Sequence, residues 1–300
     1  MTVLHYKAEF WSKVLLEAYR KKLVFGSDMV INRDYEDEIS RFGDTVHISS
    51  IADPTIGTYT PGGTLNYQQM QDAGQTFVVD QAKYWSAQMN DVDRRQQVGD
   101  LQGYFEGRAA YRIADVQDQF IASLYTGLDP ANVLGSNASP LAPALYTPST
   151  PAAFYLNVLL PLGVLLDQQN VPDEGRYVIC PPWACALAAQ TQAFVNFPNS
   201  SGGAGTVMAS GAVGELGGFT IMKSVNAVTT TPNTGPGTQV NVIQAGHADA
   251  LTFADQITEN EALRAQADFA DLIRGLNVYG GKLTRPESLA IAYVLRPSGI

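Results

Sequence analysis

Apolar residues recur at three- and four-residue steps from Asp91 to about Thr126: Val98, Leu101, Phe105, Ala109, Ile113, Val116, Phe120 and Leu124. The spacing predicts one long helix with Asp91 able to cap its start, and at 1.5 Å per residue it would be roughly 50 Å long. Gly99, Gly103 and Gly107 lie four apart, hence along one side of it. Each glycine weakens a helix by about 1 kcal/mol relative to alanine. The stripe reads either as close backbone packing or as a place where the helix bends. A shorter amphipathic pattern over Ala8–Val24 puts Phe10, Val14, Leu15 and Ala18 on one face, with Arg20, Lys21 and Lys22 in the last turns, where cations suit the helix dipole, and Gly26 as a stop.

Two segments alternate with period two. Asp44–Ile51 places Val46 and Ile48 on one face, and Gln75–Gln81 places Phe77 and Val79 on one face with Val78 opposite. The stretch between them, Ala52–Gly74, is rich in Gly, Pro, Thr, Gln and Tyr and too long for a tight hairpin turn. Connections of this size inside a compact domain are uncommon and usually functional. It reads as an extended hairpin arm whose Tyr59, Pro61, Leu65, Tyr67 and Met70 need a partner surface to cover them.

Leu128–Pro151 is a Pro/Ser/Asn-rich linker and the natural lobe boundary, and beyond it the pattern becomes α/β. Ala152–Gln169 reads as a helix kinked or divided at Pro161, Tyr177–Cys180 as a short buried strand and Trp183–Phe194 as a helix. Asn196–Gly205 reads as a loop. Phe219–Met222 and Val240–Ile243 read as strands, Asp268–Leu276 as a short helix, and Asn277–Thr284 and Leu289–Leu295 as strands. No internal repeat is visible.

Charge and composition narrow the function. The 300 residues carry a formal net charge of −10, which argues against an ordinary nucleic-acid binder but not against a container that holds DNA without gripping it. Residues 1–10 carry His5, Lys7 and Glu9 and do not read as a secretory signal. The longest apolar run, Phe154–Leu166, falls short of the ~20 residues a membrane span needs, so a protein made in the cytoplasm is expected. Cys180 and Cys185 are not spaced as C-x-x-C and read as two buried thiols.

Chemistry-bearing motifs are missing. There is no Gly-Lys-Ser/Thr and no G-x-S-x-G. His5, His47 and His247 are scattered, without metal-ligand spacing. Asp91 and Asp93 suit a helix N-terminus, and Asp34, Glu36, Asp37 and Glu38 a solvated turn. The Gly211, Gly214, Gly217, Gly218 cluster opens into a strand, unlike a phosphate-binding loop. No catalytic residue, metal or cofactor is expected.

The order of elements, together with several short motifs, carries a resemblance. The motifs are Val30-Ile31-Asn32-Arg33-Asp34-Tyr35, Gly43-Asp44-Thr45-Val46, Asp80-Gln81-x-Lys83-Tyr84-Trp85, Asn90-Asp91-Val92-Asp93, Val171-Pro172-x-Glu174-Gly175-Arg176-Tyr177, Gly214-x-Leu216-Gly217-Gly218-Phe219 leading to Ser224, and Arg285-Pro286 before an apolar strand. In this order the sequence resembles the major capsid proteins of tailed double-stranded DNA phages, over nearly the whole chain. The resemblance implies an α+β capsid fold of the Hong Kong ninety-seven type. Its parts would be an N-terminal arm (1–43), an extended hairpin loop (44–85), a peripheral domain with a spine helix (86–150 and 256–286) and an axial domain (151–255 and 287–300). It implies a virion shell of homo-hexamers and homo-pentamers, assembled in the bacterial cytoplasm with a scaffolding protein, a portal and decoration proteins, touching packaged DNA non-specifically and no membrane.

Residues 177–214 contain no Asp, Glu, Lys or Arg. Around a five- or sixfold axis every charge is repeated in a ring and repels its copies. The loop carrying Asn196, Asn199, Ser200, Ser201, Gly202 and Gly203 therefore reads as a capsomer-axis loop, or alternatively as a neutral surface loop. The sequence departs from the cross-linking branch of the family, because no Lys lies between Asp44 and Ala82, and it shows no long N-terminal scaffolding region. Two rival readings remain at this level: an encapsulin-like shell around protein cargo, and an α/β enzyme with a site at the Gly211–Gly218 loop.

Overall fold

The computed structural model describes residues 20–21, 23–34, 45–51, 54–58, 61–62, 67–69, 72–90, 101–142, 152–189, 212–230, 239–266 and 268–297. Its strands are β1 (Ile31–Asn32), β2 (Thr45–Ile51), β3 (Asp72–Val78), β4 (Gln81–Asn90), β5 (Val133–Leu134), β6 (Arg176–Cys180), β7 (Ala212–Leu216), β8 (Phe219–Lys223), β9 (Thr229–Thr230), β10 (Val240–His247), β11 (Leu251–Arg264), β12 (Ala270–Leu283) and β13 (Leu289–Leu295). The main helix, α1, spans Leu101–Ser123 and ends in a 3-10 turn at Leu124–Gly127. A second helical segment, α2, starts at Ala152–Phe154, widens to a π-turn at Tyr155–Leu159 and resumes over Leu160–Gln168. Pro161, which has no N–H to give its preceding turn, lies just past the π-turn, so the expected interruption takes that form. The third, α3, is Pro182–Ala189.

Among the described residues the strands form three sheets. One has the order β1-β11-β12-β4, a second has β5-β13-β10-β6-β8-β7 with β9 added on β10, and the third is the β2-β3 pair. The period-two alternation of the second sheet divides its side chains between two cores. Val178, Cys180, Ile243, Ala245, Ala290, Ala292 and Val294 face α2 and α3. Tyr177, Ile179, Val242, Leu289 and Ile291 face the end of α1, together with Val24, Phe25 and Ile31 from the N-terminal segment. Gln244, buried on that second face, donates to the Ala122 carbonyl near the end of α1 at 2.7 Å. This satisfies one of the acceptors a helix terminus leaves open.

The β2-β3 hairpin is as the alternation predicts. Val46 and Ile48 pack with buried Phe77 and Val79 against Ala254 and Val278. Gln75 donates to the Thr284 carbonyl, and Lys282 to that of Thr76, fastening the hairpin to β12. The π-turn, the strands at 176–180, 219–223 and 289–295, and the start of β10 also follow the sequence pattern.

Several elements differ from it. Asp268–Leu276 is not a helix; most of it belongs to β12, which pairs antiparallel with β11 on one side and with β4 on the other. Phe269, Leu272, Ile273 and Leu276 have helical spacing, but two ladders satisfy this backbone on both edges, and such tertiary pairing overrides local propensity. β4 is ten residues long, so the chain returning from the arm continues as a sheet edge. Part of the Leu128–Pro151 linker joins the second sheet, where Val133 and Leu134 run parallel to Ile291 and Ala292. The predicted helix over Ala8–Val24 lies almost wholly outside the described residues; Arg20, Lys21, Leu23 and Val24 are not helical.

Gly280 sits where β3 crosses the first sheet. A Cβ there would lie 2.7 Å from the Val78 carbonyl oxygen and 2.8 Å from Val79 Cα. Backbone cannot yield as a flexible side chain can, so Gly280→Ala should destabilise the subunit by about 1–3 kcal/mol, the usual cost of overpacking. The check is the midpoint of urea unfolding, which should fall; an unchanged midpoint would mean that the hairpin is not seated on β12 as described.

Candidate assembly surfaces

The described part of the arm is covered by little of the described chain. Its described residues, 54–58, 61–62 and 67–69, are all exposed, with Ile56 at 88% and Tyr67 at 89%. One hydrogen bond across it, from Thr55 N–H to the Gln68 side-chain oxygen, measures 2.9 Å. No charged residue lies between Pro54 and Gln71. Of the predicted contact residues, Pro61 and Tyr67 are exposed, while Tyr59, Leu65 and Met70 lie outside the described residues.

Helix α1 stands partly clear of the first sheet. A cleft of about 620 Å³ separates them, walled by Trp85, Ala110, Ile113 and Ile273. Also lining it are Gln117, Asp255 and Asn277, which are joined by hydrogen bonds of 2.8–3.0 Å. Gly103 and Gly107 are exposed, and a Cβ on Gly107 would meet nothing within 4 Å. Close packing within the subunit therefore does not account for Gly107. Gly99 lies outside the described residues, as do all six residues of the neutral loop: Asn196, Asn199, Ser200, Ser201, Gly202 and Gly203. The described ends of that connection are α3 and β7, the latter an edge strand of the second sheet.

Sequence reasoning missed a buried polar junction. The most buried positions toward the end of α1 are Asp115, Asp118, Ile121 and Ala122. The face carrying Ile113, Val116 and Phe120 is only half-buried. Lys21 Nζ lies 2.6 Å from Asp115 Oδ1 and donates to Asn226 Oδ1 at 2.5 Å. The Asn226 amide donates to Asp115 at 3.1 Å and to Asp118 at 2.6 Å. Asp118 also accepts from the backbone N–H of Val24 and Gly26, at 2.9 and 3.2 Å. The available signal was two acids three apart inside an apolar helical pattern, which places them on one face.

The two carboxyls shift in opposite directions. Burial opposes ionisation of Asp115, but the bonds from Lys21 and Asn226 and the Lys21 charge outweigh it and hold its pKa below the ordinary 3.8. At Asp118 burial prevails over the donors of Asn226, Gly26 and Val24, and its pKa is raised above that value. The stability contributed by Asp115 is therefore full above its ordinary pKa and lost as the pH falls through the lowered one; that of Asp118 is full in acid and lost as the pH rises through the raised one. Asp115→Asn should destabilise the subunit near neutral pH by about 2 kcal/mol, the order of a charged hydrogen bond. The gap to the parent should narrow as the pH falls below the ordinary carboxylate range and through the lowered pKa. A gap unchanged across that range, measured by urea unfolding, would assign Asp115 a role of shape rather than charge.

Sites for bond-making chemistry do not emerge among the described residues. No group of three or more His, Cys, Asp or Glu is placed to hold a metal ion. His47 lies exposed on β2; His247 is on β10, with Nδ1 accepting from the Asp249 N–H at 3.3 Å. Cys180 and Cys185 are buried and free, and Cys180 is held well above its ordinary pKa, first by its hydrogen bond with Cys185 and then by burial. Gly217 and Gly218, at φ 62° and 82°, form the two-residue turn of the β7-β8 hairpin. That geometry has no helix N-terminus to cradle a phosphate. No described helix is long and apolar enough to cross a membrane.

No family model matches the sequence, and no curated protein matches it. Solved structures do. A structure from Mycobacterium phage Che8 is 28% identical, with a TM-score of 0.75 over 97% of this chain and 98% of the other. The capsid structure of Cyanophage P-SCSP1u is 17% identical, with a TM-score of 0.74 over 96% and 93%. The capsid of Ralstonia phage GP4 is 15% identical, with a TM-score of 0.68 over the full length of both chains. Over nearly its whole length the chain has the mixed α+β fold of the phage capsid structures it matches.

Proposed function

We propose that this chain, a capsid protein of the tailed-phage kind, is the repeating subunit of an icosahedral shell that assembles as homo-hexamers and homo-pentamers around a double-stranded DNA genome. The observation that carries the proposal is the likeness to phage capsid structures over nearly the whole chain. It also favours a phage shell over an encapsulin-like compartment. The net charge of −10 suits the reading, since such a wall holds DNA without the phosphate neutralisation that would make it grip.

In this reading residues 1–43 are an arm, 44–85 the extended loop, 86–150 with 256–286 the peripheral domain, and 151–255 with 287–300 the axial domain. The arm residues Tyr59, Pro61, Leu65, Tyr67 and Met70 contact a neighbouring subunit, and the exposed Ile56 and Tyr67 support that role. Contacts of arm to body are heterologous and close into rings by rotation. Gly99, Gly103 and Gly107 let the spine helix bend between precursor and mature shells. The loop carrying Asn196, Asn199, Ser200, Ser201, Gly202 and Gly203 lines the capsomer axis. Scaffolding protein, portal and decoration proteins complete the particle in the host cytoplasm, and with no Lys between Asp44 and Ala82 the shell is held non-covalently.

Deleting Thr58–Gln69 separates arm from body. The truncated subunit should keep the parent's far-ultraviolet circular dichroism but sediment as small species, where the full chain, expressed with its scaffolding protein, sediments as shells. Normal shells from the deletion would remove the arm from the assembly contacts.

A further inference from the structure

The N-terminal segment is fastened to α1 along one face. Asp118 holds the backbone of Val24 and Gly26, and Asp115 holds the Lys21 ammonium. The Tyr111 hydroxyl accepts from the Lys21 N–H at 3.0 Å and donates to its carbonyl at 3.2 Å. The Arg20 guanidinium lies 5.4 Å from the Tyr111 ring centre. Residues 26 to 20 thus run back along α1 from position 118 to position 111. The Asp115 and Asp118 side chains are buried, with 0% and 1% exposure, whereas Arg112, which donates to Asp115 at 3.1 Å, is 71% exposed.

Asn226 is the part that does not belong to either of these elements. It lies in the turn after β8, and its backbone N–H is bonded to Ser224 Oγ at 3.0 Å. Both ends of its amide are in use: the oxygen receives Lys21, and the nitrogen reaches both carboxylates. Two carboxylates one helical turn apart and out of water repel strongly unless donors intervene. The donors here include the Lys21 ammonium, the Arg112 guanidinium, the backbone N–H groups of Val24 and Gly26, and this amide. Losing the amide leaves Asp115 to Lys21 and Arg112 and Asp118 to the Val24 and Gly26 N–H groups, and removes the one donor among the described residues that bridges the two acids.

We propose that Asn226 closes a latch: the segment Arg20–Gly26 stays fastened to α1 only while the turn after β8 holds this amide between Asp115 and Asp118, so that the N-terminal segment and the end of the β7-β8 hairpin release in a single opening. The latch joins three parts of the chain that are 90 to 205 residues apart in sequence. It ties the position of the N-terminal segment to the hairpin whose first strand follows the neutral loop. Water can solvate the carboxylates once the segment lifts, which makes the junction openable where an apolar one would stay shut. It is a property of the folded subunit and stands or falls independently of what the shell encloses.

Limited trypsin digestion of the purified, unassembled full-length subunit reads the opening, because cleavage follows the open population when closing is fast. The product to follow by intact mass is loss of the N-terminus at Arg20 or Lys22, sites that every variant keeps. Asn226→Leu and Lys21→Met should each accelerate that loss by about tenfold or more, the effect of one charge-assisted hydrogen bond, with thermal unfolding of the remaining core little changed. The signature of a single latch is that Lys21→Met combined with Asn226→Leu cuts no faster than the faster single variant. Asn226→Ala replaces Asn226→Leu in the same comparison if the leucine variant does not fold. Single-variant rates within twofold of the parent, or a double variant whose acceleration is the product of the two, would overturn the proposal; in the second case the contacts are independent.

Discussion

One antiparallel ribbon runs through the molecule, and the other elements attach to it. β10 pairs with β13 from Val240–Leu295 to Gly246–Leu289, and β11 pairs with β12 from Leu251–Leu283 to Arg264–Asp271. Between the two pairings each chain makes only a 3-10 turn, at Ala248–Ala250 and Pro286–Ser288. The Thr284 and Arg285 N–H groups bond the Ala250 carbonyl there, and the Thr252 and Thr284 hydroxyls meet at 3.1 Å, so the ribbon stays closed as it passes from one sheet to the other. β1 and β4 flank it in one sheet, and β5, β6 and β9 in the other. The end of α1 lies across it, with Phe120 edge-on to Tyr279 at 5.3 Å. Gly281 permits that approach, since a Cβ there would come within 2.9 Å of Leu124. Distortion of the ribbon would be felt in both sheets and in the helix at once.

How much of this was legible depended on whether a segment's burial is written in its own residues. β13, Leu-Ala-Ile-Ala-Tyr-Val-Leu, and β6, Arg-Tyr-Val-Ile-Cys, are buried on both faces and read directly as strands. β11 was not read, because Gln256, Glu259, Glu261 and Arg264 interrupt any apolar alternation. Its identity as a strand comes from fourteen-residue β12 beside it. β12 in turn was partly mistaken for a helix, since Leu272, Ile273 and Leu276 fall at helical spacing and only its two partners decide otherwise. The arm was legible from composition, because a Gly- and Pro-rich stretch with scattered aromatics has no core to join. The junction at Lys21, Asp115, Asp118 and Asn226 was not, since its members come together only when the fold does.

The distribution of charge follows the same division between what a subunit settles alone and what it leaves for neighbours. The acids of the junction are enclosed and satisfied by donors from the same chain. The arm, from Pro54 to Gln71, and the stretch 177–214 carry no charge at all. An exposed neutral stretch such as the described part of the arm meets no electrostatic opposition from identical copies. The arm exposes large apolar side chains that the subunit itself leaves uncovered. A folded unit with enclosed acids and a neutral, exposed arm is suited to association with itself.

The central claim is that this subunit builds a closed shell, and cryo-electron microscopy of the full-length protein, purified alone and with the products of the adjacent genes, tests it most directly. The account predicts closed icosahedral particles of fivefold and sixfold capsomers. Discrete monomers or dimers in both preparations, with no shells or capsomers, would contradict it.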